Sequence, residues 1–487
     1  MLDLARHAVE VAKSAGATYA DARAILAESE GIQTKNGRLA ELERAESAGV
    51  GVRVYVDGAM GFAATSDPTK AEVERTANHA VDIARASGLV PGPGGPVKLA
   101  EQPPHVARYE TPYVVDPFAI PVEEKVAHLL AVDAAIRKAS KAVKVAQAFA
   151  SFRRKRQFYA SSDGAAIEQV IRWAGAGCTA TAVSGEDAQT RSHPAPFGGN
   201  WATAGYEWLA AQQLLAHAAR VAEEAERLLA APQCPQGDMD LIVGPNQLAL
   251  QLHESCGHPI ELDRVLGTEA NYAGTSFLTT DKLGKFRYGS PVVNIAADAN
   301  TPLGLGTFGY DDEGVPAQRW DIVKEGQFVG YLTSRETAPV VSLARSQGAM
   351  RADGYNRIPL IRMTNVSLAP GTGGTLEELI ADTKSGILVD TNRSWSIDQR
   401  RYNFQFVCEV GREIKDGKLG RLFKNPSYQG ITPEFWGSCD RVGGVSEWRL
   451  FGVPNCGKGE PGQSMGTGHG AAPARFRKVK VGAAYNG

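Results

Sequence analysis

A histidine, a glutamate and a second histidine stand close together in the segment LHESCGHPIELDR, residues 252–264. His253 and His258 offer imidazole nitrogens, which are common zinc ligands. Glu254 offers a carboxylate beside them, and in metal-dependent hydrolases such a group acts as a general acid and base. These residues therefore predict a hydrolytic zinc site, with two histidine ligands and Glu254 as the catalytic group.

The five-residue spacing of the histidines differs from the four-residue spacing of the zinc-protease motif H-E-x-x-H. Residues five apart on a regular α-helix point about 140° apart. Pro259 disfavours the α-helical conformation at His258, and Gly257 permits backbone angles that other residues avoid. We therefore expect the helix to end or distort at 257–258, through a π-type bulge or a broken last turn that brings the histidines together.

A catalytic zinc usually has three protein ligands and one open position. The candidates for the third ligand are Cys256, Glu261, Cys408, Cys439, Cys456 and His469. Cys456 ranks first and His469 second, because both lie in the glycine-rich segment GVPNCGKGEPGQSMGTGHG. Cys256, between the two histidines, is expected to point away from the metal. Cys408 follows a strand pattern and is expected in the core, and Glu261 could equally form a salt bridge.

The elements that must position these residues follow from the hydrophobic patterns along the chain. Helices are expected at 2–14, 67–87, 122–140, 207–231 and 374–383, and three strands within 143–185. The Gly- and Pro-rich segment 88–104 is expected to be a linker or long loop. The helix breaker PQCPQGD, residues 232–238, predicts a boundary between an N-terminal α+β domain (1–231) and a C-terminal domain (235–487) that is mainly antiparallel β.

The composition is that of an ordinary globular protein, with 487 residues, a net charge of −2 and 43% hydrophobic residues. The weak net charge argues against a nucleic-acid partner. The six cysteines include no C-x-x-C pair, which favours free thiols in a reducing compartment. The first residues predict an amphipathic helix rather than a secretory signal, and no apolar run approaches the ~18 residues of a membrane span. We therefore expect a cytoplasmic protein without a membrane partner.

Four motifs, HESCGH, GYDDEGVPAQ, NRIPLIRMTN and NCGKGEPGQ, occur in this order after an N-terminal NGRLAELERAESAGVGVRVYVDGAMGFAATS. Over nearly its whole length the chain resembles the TldD/TldE (PmbA) family of modulator-of-gyrase-type metalloproteases. The resemblance implies one zinc ion bound by His253, His258 and Cys456, with Glu254 as the catalytic acid and base. Because TldE-type partners lack the H-E-x-x-x-H motif, the chain resembles the catalytic, TldD-like type.

The resemblance also implies a two-domain α+β fold whose C-terminal domain is dominated by a large curved antiparallel sheet carrying the metal-site helix. It implies a homodimer, or a heterodimer with a TldE-like subunit. The implied substrates are unfolded peptides, bound as an added β-strand in a narrow cleft. Arg351 and Tyr355, in the segment MRADGYNR, could line this cleft, although a surface ion pair of Arg351 is an equal alternative.

Two other functions are compatible with these residues. The chain could be a non-catalytic peptide-binding subunit of a protease complex, in which case Glu254→Ala would leave its function intact. It could also be a metal hydrolase that matures a modified peptide. The acidic segment 311–313 (Asp-Asp-Glu) is interpreted as a solvated β-turn rather than as part of the site.

Overall fold

The computed structural model describes residues 1–90 and 95–482, so part of the predicted linker 88–104, residues 91–94, lies outside the described residues. The fold is mixed α and β, as the sequence predicts. Its helices are α1 (Leu2–Ser14), α2 (Lys70–Gly88), α3 (Val122–Ala139), α4 (Glu207–Ala211), α5 (Leu214–Leu229), α6 (Pro245–Leu252), α7 (Leu262–Val265), α8 (Leu376–Ala381) and α9 (Thr432–Gly437). Among the described residues, none of these helices combines the length and apolarity needed to cross a membrane.

The N-terminal half is built on one eight-stranded sheet. Its strands are β1 (Tyr19–Lys35), β2 (Arg38–Val56), β3 (Ala59–Thr65), β4 (Val106–Glu110), β5 (Val143–Ser161), β6 (Ala166–Ser184), β7 (Asp187–His193) and β8 (Asn200–Ala202). The order is β3-β2-β1-β5-β6-β4, and β7 and β8 also pair with β6. All pairs are antiparallel except β4–β6.

Alternate small residues on the long strands let helices pack closely on one face of this sheet. Ala20, Ala22 and Ala24 of β1 lie in one buried cluster with the apolar faces of α1 and α2. Ala146 and Ala148 of β5 lie in a second cluster with α3 and α5. Alternate residues of the strands thus pack against the apolar faces of the helices, and they form two separate cores.

Two sequence predictions in this half were wrong in detail. Residues 143–185 form two long strands, β5 and β6, rather than three, because each strand runs uninterrupted through 19 residues. The helix predicted at 207–231 is divided into α4 and α5. Gln213 lies between them with φ of 50°, a left-handed conformation that a continuous α-helix does not contain.

The C-terminal half contains the remaining strands. These are β9 (Gly237–Val243), β10 (Ile295–Asp298), β11 (Arg319–Lys324), β12 (Gln327–Phe328), β13 (Met350–Arg351), β14 (Leu360–Ile361), β15 (Val366–Leu368), β16 (Ser385–Ile397), β17 (Asn403–Lys415), β18 (Lys418–Phe423), β19 (Ser427–Ile431), β20 (Cys439–Val442), β21 (Arg449–Lys458), β22 (Gln463–Ala471) and β23 (Ala474–Val481).

Instead of the large curved sheet expected from the sequence, the structure contains a closed barrel. The ring β16-β9-β23-β19-β17 is closed by pairing of β17 with β16. The β9–β16 pair is parallel and the other pairs of the ring are antiparallel. Leu241 and Val243 of β9 belong to the main core, whereas Ile242 packs with α8, so the end of β9 is buried on both faces.

Helix α6 follows β9 directly and leads into the segment that holds the two histidines. Gly244 precedes it and Pro245 occupies its first turn, where a missing N–H costs nothing. Leu248 and Leu252 of α6 are fully buried in the core that also contains the barrel aromatics. The hairpin β21–β22 and the four-stranded sheet β12-β11-β10-β15 complete the surroundings of the site.

Buried ion pairs join the two halves of the chain at the acidic segment 311–313. Arg23 lies 3.2 Å from Asp312, and Arg53 lies 3.0 Å from Glu313. Both acidic side chains are at most 4% exposed, so the prediction of a solvated turn was wrong. A buried carboxylate needs a paired charge or hydrogen bonds, and here the N-terminal sheet supplies both.

Candidate metal centre

The backbone distorts where the sequence predicts it. Helix α6 ends at Leu252, residues His253–Gly257 form one turn of π-helix, and His258–Ile260 form a 3₁₀ turn. The backbone N–H of His258 donates to the carbonyl of His253, which is the i to i+5 hydrogen bond of a π turn. The two imidazoles therefore share one face, with ring centroids 4.9 Å apart.

The cause of the distortion differs from the predicted one. His258 keeps right-handed helical angles (φ −66°, ψ −44°) despite the following proline, and Gly257 also has ordinary helical angles. Gly257 is required for space, because a Cβ atom at this position would lie 2.1 Å from Sδ of Met363. The π turn thus passes against Met363 only because residue 257 has no side chain.

The hairpin β21–β22 brings Cys456 to the histidines. One potential ligand atom from each of His253, His258 and Cys456 lies within 4.8 Å of the others, and all three residues are buried. The Cys456 Sγ lies 3.6 Å from Nε2 of His258. The β21–β22 register is irregular between Val453 and Cys456, at the point where the thiol turns towards the histidines.

A carboxylate fixes the orientation of His258. The Nδ1–H of His258 donates to Oε2 of Glu261 over 3.0 Å, which leaves Nε2 of His258 directed at Cys456. Glu261 is fully buried, and Lys458 lies 3.4 Å from the same oxygen. Glu261, a candidate third ligand from the sequence, is therefore placed behind His258 as its hydrogen-bond partner.

A third histidine fixes the orientation of His253. Nδ1 of His469 lies 2.9 Å from the carbonyl oxygen of Val366, which can only accept, so this nitrogen carries the proton. Nε2 of a neutral His469 is then an acceptor, and it lies 2.8 Å from Nδ1 of His253. His253 consequently donates from Nδ1 and presents an unprotonated Nε2 to the site. The sequence ranks His469 as the second candidate for the third ligand, and the structure places it behind His253.

Burial and nearby charges shift the pKa values of the thiol and of two of the imidazoles. Burial acts to raise the pKa of the Cys456 thiol, but the imidazoles of His253 and His258 outweigh burial and hold this pKa well below its usual range. Burial acts to lower the pKa of His258, but Cys456 outweighs burial and raises it to about 9. Burial lowers the pKa of His469 well below its usual range, in agreement with a neutral ring. These shifts favour a thiolate at Cys456 beside a protonated His258.

Glu254 lies beside the histidines and pairs with Arg401. Burial acts to raise the pKa of Glu254, but Arg401, with smaller effects of His258 and His253, outweighs it and holds this pKa below its usual range. The indole of Trp395 also interacts with this carboxylate. Glu254 is thus an ionised, nearly buried carboxylate next to the candidate ligands. Arg401 has no motif around it that would have marked it in the sequence.

The other sequence candidates lie elsewhere. Cys256, Cys408 and Cys439 are buried in the main hydrophobic core, and burial raises the pKa of Cys256 to about 12. Arg351 is buried and donates to the carbonyls of Met363 and Gly466, so it supports the site wall. Tyr355 packs on Gly49 and Gly51 of β2. Among the described residues, neither Arg351 nor Tyr355 hydrogen-bonds to the three candidate ligands, although Arg351 is near enough to feel the charge of Cys456.

The donor set fits a zinc ion. Two imidazole nitrogens and one thiolate are ligands that zinc binds well, once the proton of His258 is displaced, and three protein ligands leave an open position. Each imidazole is oriented by a hydrogen bond on its other nitrogen, as metal-ligating histidines usually are. Among the described residues, no other group of three His, Cys, Asp or Glu side chains is placed to hold a metal.

Three family models together span most of the chain. The "PmbA/TldA metallopeptidase C-terminal domain" matches residues 236–483, "domain 1" matches residues 20–84, and the "central domain" matches residues 115–229.

Individual relatives agree with these matches. A metalloprotease of Methanothermobacter thermautotrophicus is 30% identical over 470 residues, which is 95% of each chain. A protein of Saccharolobus solfataricus named a zinc metalloprotease TldD homolog is 24% identical over 50% of this chain and 52% of its own.

Two solved structures share the fold. The crystal structure of a suggested modulator of a DNA gyrase from Thermotoga maritima has a TM-score of 0.76 and 19% identity, over 98% of this chain and 99% of that one. TldE from Thermococcus kodakarensis has a TM-score of 0.70 and 16% identity, over 98% and 99% of the two chains.

Proposed function

Because this chain belongs to the PmbA/TldD family of metallopeptidases, we propose that it is a zinc-dependent peptidase that hydrolyses unfolded or extended peptides. The observation that carries the proposal is the convergence of His253, His258 and Cys456, with the carboxylate of Glu254 beside them. A structural metal site would have no need of an adjacent ionised carboxylate that binds no metal. The name of the Saccharolobus solfataricus relative supports zinc as the metal.

We propose that His253 and His258, each through Nε2, and Cys456 through Sγ hold the zinc. When bound, zinc supplies a Lewis acid that polarises the peptide carbonyl and makes water more acidic. The thiolate lowers the positive charge of the site relative to a third imidazole, which makes the proton-transfer role of Glu254 more important. Glu261 and His469 hold the two imidazoles in the orientation that presents Nε2.

Glu254 acts as the general base and then as the general acid. It takes a proton from the attacking water and passes this proton to the nitrogen of the leaving amine. Its ionised form, stabilised by Arg401, is the form that can accept the proton. Its near-complete burial limits competition from bulk water.

A groove supports the proposal of a narrow peptide cleft. A cavity of about 400 Å³ lies between the exposed side of the N-terminal sheet and the hairpin β21–β22. Pro454, Met465 and Gly466 form its wall on the hairpin that carries Cys456, and Trp173 and Trp201 lie on the sheet side. We propose that an extended peptide approaches the site here as an added β-strand, between domains formed by residues 1–231 and 235–487.

We further propose that the chain works in the cytoplasm as a dimer. The fold shared with TldE supports either a homodimer or a heterodimer with a TldE-like subunit. Light scattering after size-exclusion chromatography, alone and after mixing with a TldE-like chain, distinguishes these assemblies. A monomer under both conditions would contradict the dimer.

The test of the function compares zinc-loaded wild type with Glu254→Gln on a library of unstructured peptides, with products identified by mass spectrometry. Wild type is expected to cleave, and Glu254→Gln is expected to retain zinc and lose cleavage. Glu434→Gln, at an exposed position, is the matched control and should cleave normally. Peptide binding without cleavage by zinc-loaded wild type would instead support a non-catalytic peptide-binding subunit. Cleavage confined to modified or cyclised peptides would support a maturation hydrolase.

A further inference from the structure

Arg401 occupies a rigid position in the turn that joins β16 and β17. Its backbone N–H donates to the carbonyl of Asp398 over 3.0 Å, and its own carbonyl accepts from Oγ1 of Thr432 over 2.9 Å. Its φ of 63° is left-handed, a conformation that L-residues adopt at a cost of roughly 1–2 kcal/mol. The turn therefore holds this residue in a specific orientation towards Glu254.

The guanidinium group is only partly used by the protein. Nη1 donates to Oε2 of Glu254, and the side chain is 14% exposed. Nε is buried and has no hydrogen-bond partner within residues 1–90 and 95–482. Arginine has five N–H donors arranged in a plane, and its Nε–Nη2 edge is one that binds oxygen through two parallel hydrogen bonds. An unpartnered buried donor on this edge costs stability unless a ligand supplies the acceptor.

The position of this edge relates it to the reacting atoms. Glu254 must reach the attacking water, and that water must lie next to the carbonyl carbon of the peptide. Nη1 of Arg401 donates to Glu254, so the guanidinium group that carries the unused edge lies directly beside the carboxylate that must reach this water.

Resting on the proposed peptidase function, we propose that Arg401 is a catalytic residue whose Nε–Nη2 edge binds the carbonyl oxygen of the scissile peptide. As the water oxygen bonds to the carbonyl carbon, the electron pair of the carbonyl double bond moves to the carbonyl oxygen, and the water proton moves to Glu254. The guanidinium stabilises the resulting negative charge. When the C–N bond breaks, the electron pair returns from the oxygen to re-form the carbonyl, and the proton passes from Glu254 to the amine. Removal of one such donor typically lowers kcat by about 10²–10³.

The test compares wild type, Arg401→Ala and Arg401→Lys, with Arg400→Ala as the matched control. Arg400 is the neighbouring, exposed arginine of the same turn. We expect Arg401→Ala to lower kcat by about 10²–10³ with little change in KM and with unchanged zinc content. Added guanidinium ion should restore part of the kcat of Arg401→Ala, and Arg401→Lys should keep part of it. Arg400→Ala should behave as wild type.

A binding measurement gives a second readout that does not depend on turnover. Calorimetry on the zinc-loaded proteins compares a phosphinic peptide, which carries a tetrahedral anion, with the corresponding peptide carrying an uncleavable amide substitute. Arg401→Ala should lose about 10²–10³ in affinity for the phosphinic peptide and almost none for the amide analogue.

If wild type cleaves peptides, equal affinity losses for both ligands in Arg401→Ala, or an unchanged kcat of Arg401→Ala, would overturn the role of Arg401 alone. Failure of wild type to cleave any peptide would overturn the proposed function itself.

Discussion

Replacement of His469 by leucine should weaken zinc binding about 10–100-fold while the protein stays folded. This is the usual effect of losing the hydrogen-bond partner of a metal-ligating histidine. In free energy it corresponds to about 1.4–2.8 kcal/mol. Leucine has a similar volume, so the change removes the acceptor for His253 and the donor to the carbonyl of Val366.

The hydrogen bonds around His253 lead to a similar loss of zinc-binding free energy. His469 is fully buried, and its Nε2 accepts a hydrogen bond from Nδ1 of His253 at 2.8 Å, the only short one that this nitrogen makes among the described residues. Without it, the nearest acceptor is Oγ1 of Thr467 at 3.4 Å, which is a weak contact. A buried donor left unsatisfied costs about 1–3 kcal/mol. The loss falls on the metal-bound state, in which His253 must keep its proton on Nδ1.

The assay is competition for zinc between the protein and a chelator of known affinity, with thermal unfolding of the metal-free protein as a check on folding. His469→Gln is expected to recover part of the affinity, because an amide offers both an acceptor for His253 and a donor for Val366. Thr467→Val keeps His469 and should bind zinc nearly as wild type. Wild-type zinc affinity in His469→Leu would refute the reasoning, as would equal losses in the leucine and glutamine variants.

Three further predictions concern the thiol, the metal-binding protons and a buried carboxylate. Cys456→Ser should lower zinc affinity by more than about 100-fold, which exceeds the loss expected when a ligand loses only its hydrogen-bond partner. The control Cys439→Ser should keep the wild-type affinity. Equal affinities of the two variants in a chelator assay would exclude Cys456 as a ligand. Zinc affinity should rise about tenfold per pH unit between about pH 6 and pH 8, because the pKa of His258 is about 9 and zinc must displace its proton; a flat profile would contradict this. Burial raises the pKa of Glu409 to about 7. Because the pKa of Glu409 is higher in the folded protein than in the unfolded chain, its protonated form stabilises the fold at low pH. This stabilisation is lost as the pH rises towards 7. Wild type should therefore lose about 2–3 kcal/mol more than Glu409→Gln between about pH 5 and pH 8 in chemical unfolding, and parallel profiles would argue against the shift.

A local signal in the sequence was sufficient to predict the distorted backbone of the candidate site. The spacing of His253 and His258 predicts a distorted helix, and the structure contains the π turn. The reason could not be predicted, because the contact that forbids a side chain at residue 257 comes from Met363, more than a hundred residues away. The residue pattern of a segment can predict its backbone conformation, but not the distant residues whose contacts require that conformation.

The roles of residues that depend on partners distant in the chain could not be predicted from the sequence. His469 has the chemistry of a ligand, and only its hydrogen bond to Val366 distinguishes an orienting residue from a ligand. The segment 311–313 has the composition of a solvated turn, but its arginine partners, Arg23 and Arg53, lie in the first strands of the chain.

The same limit applies to the fold. Most helices and the β character of residues 143–185 could be predicted from periodicity, but not the division of that segment into the two long strands β5 and β6. Closure of the barrel depends on the pairing of β17 with β16 and on the parallel pair β9–β16, whose strands lie far apart in sequence. Strand patterns specify faces but not partners, so a closed barrel and an open curved sheet have similar sequences.

The most direct test of the central claim is a crystal structure of the zinc-loaded protein with anomalous data collected at the zinc absorption edge. We expect one strong peak, bonded at about 2.0–2.1 Å to Nε2 of His253 and Nε2 of His258 and at about 2.3 Å to Sγ of Cys456, with His469 outside bonding distance. A peak bonded to His469 instead of Cys456, or no peak between the two histidines in zinc-saturated crystals, would contradict it.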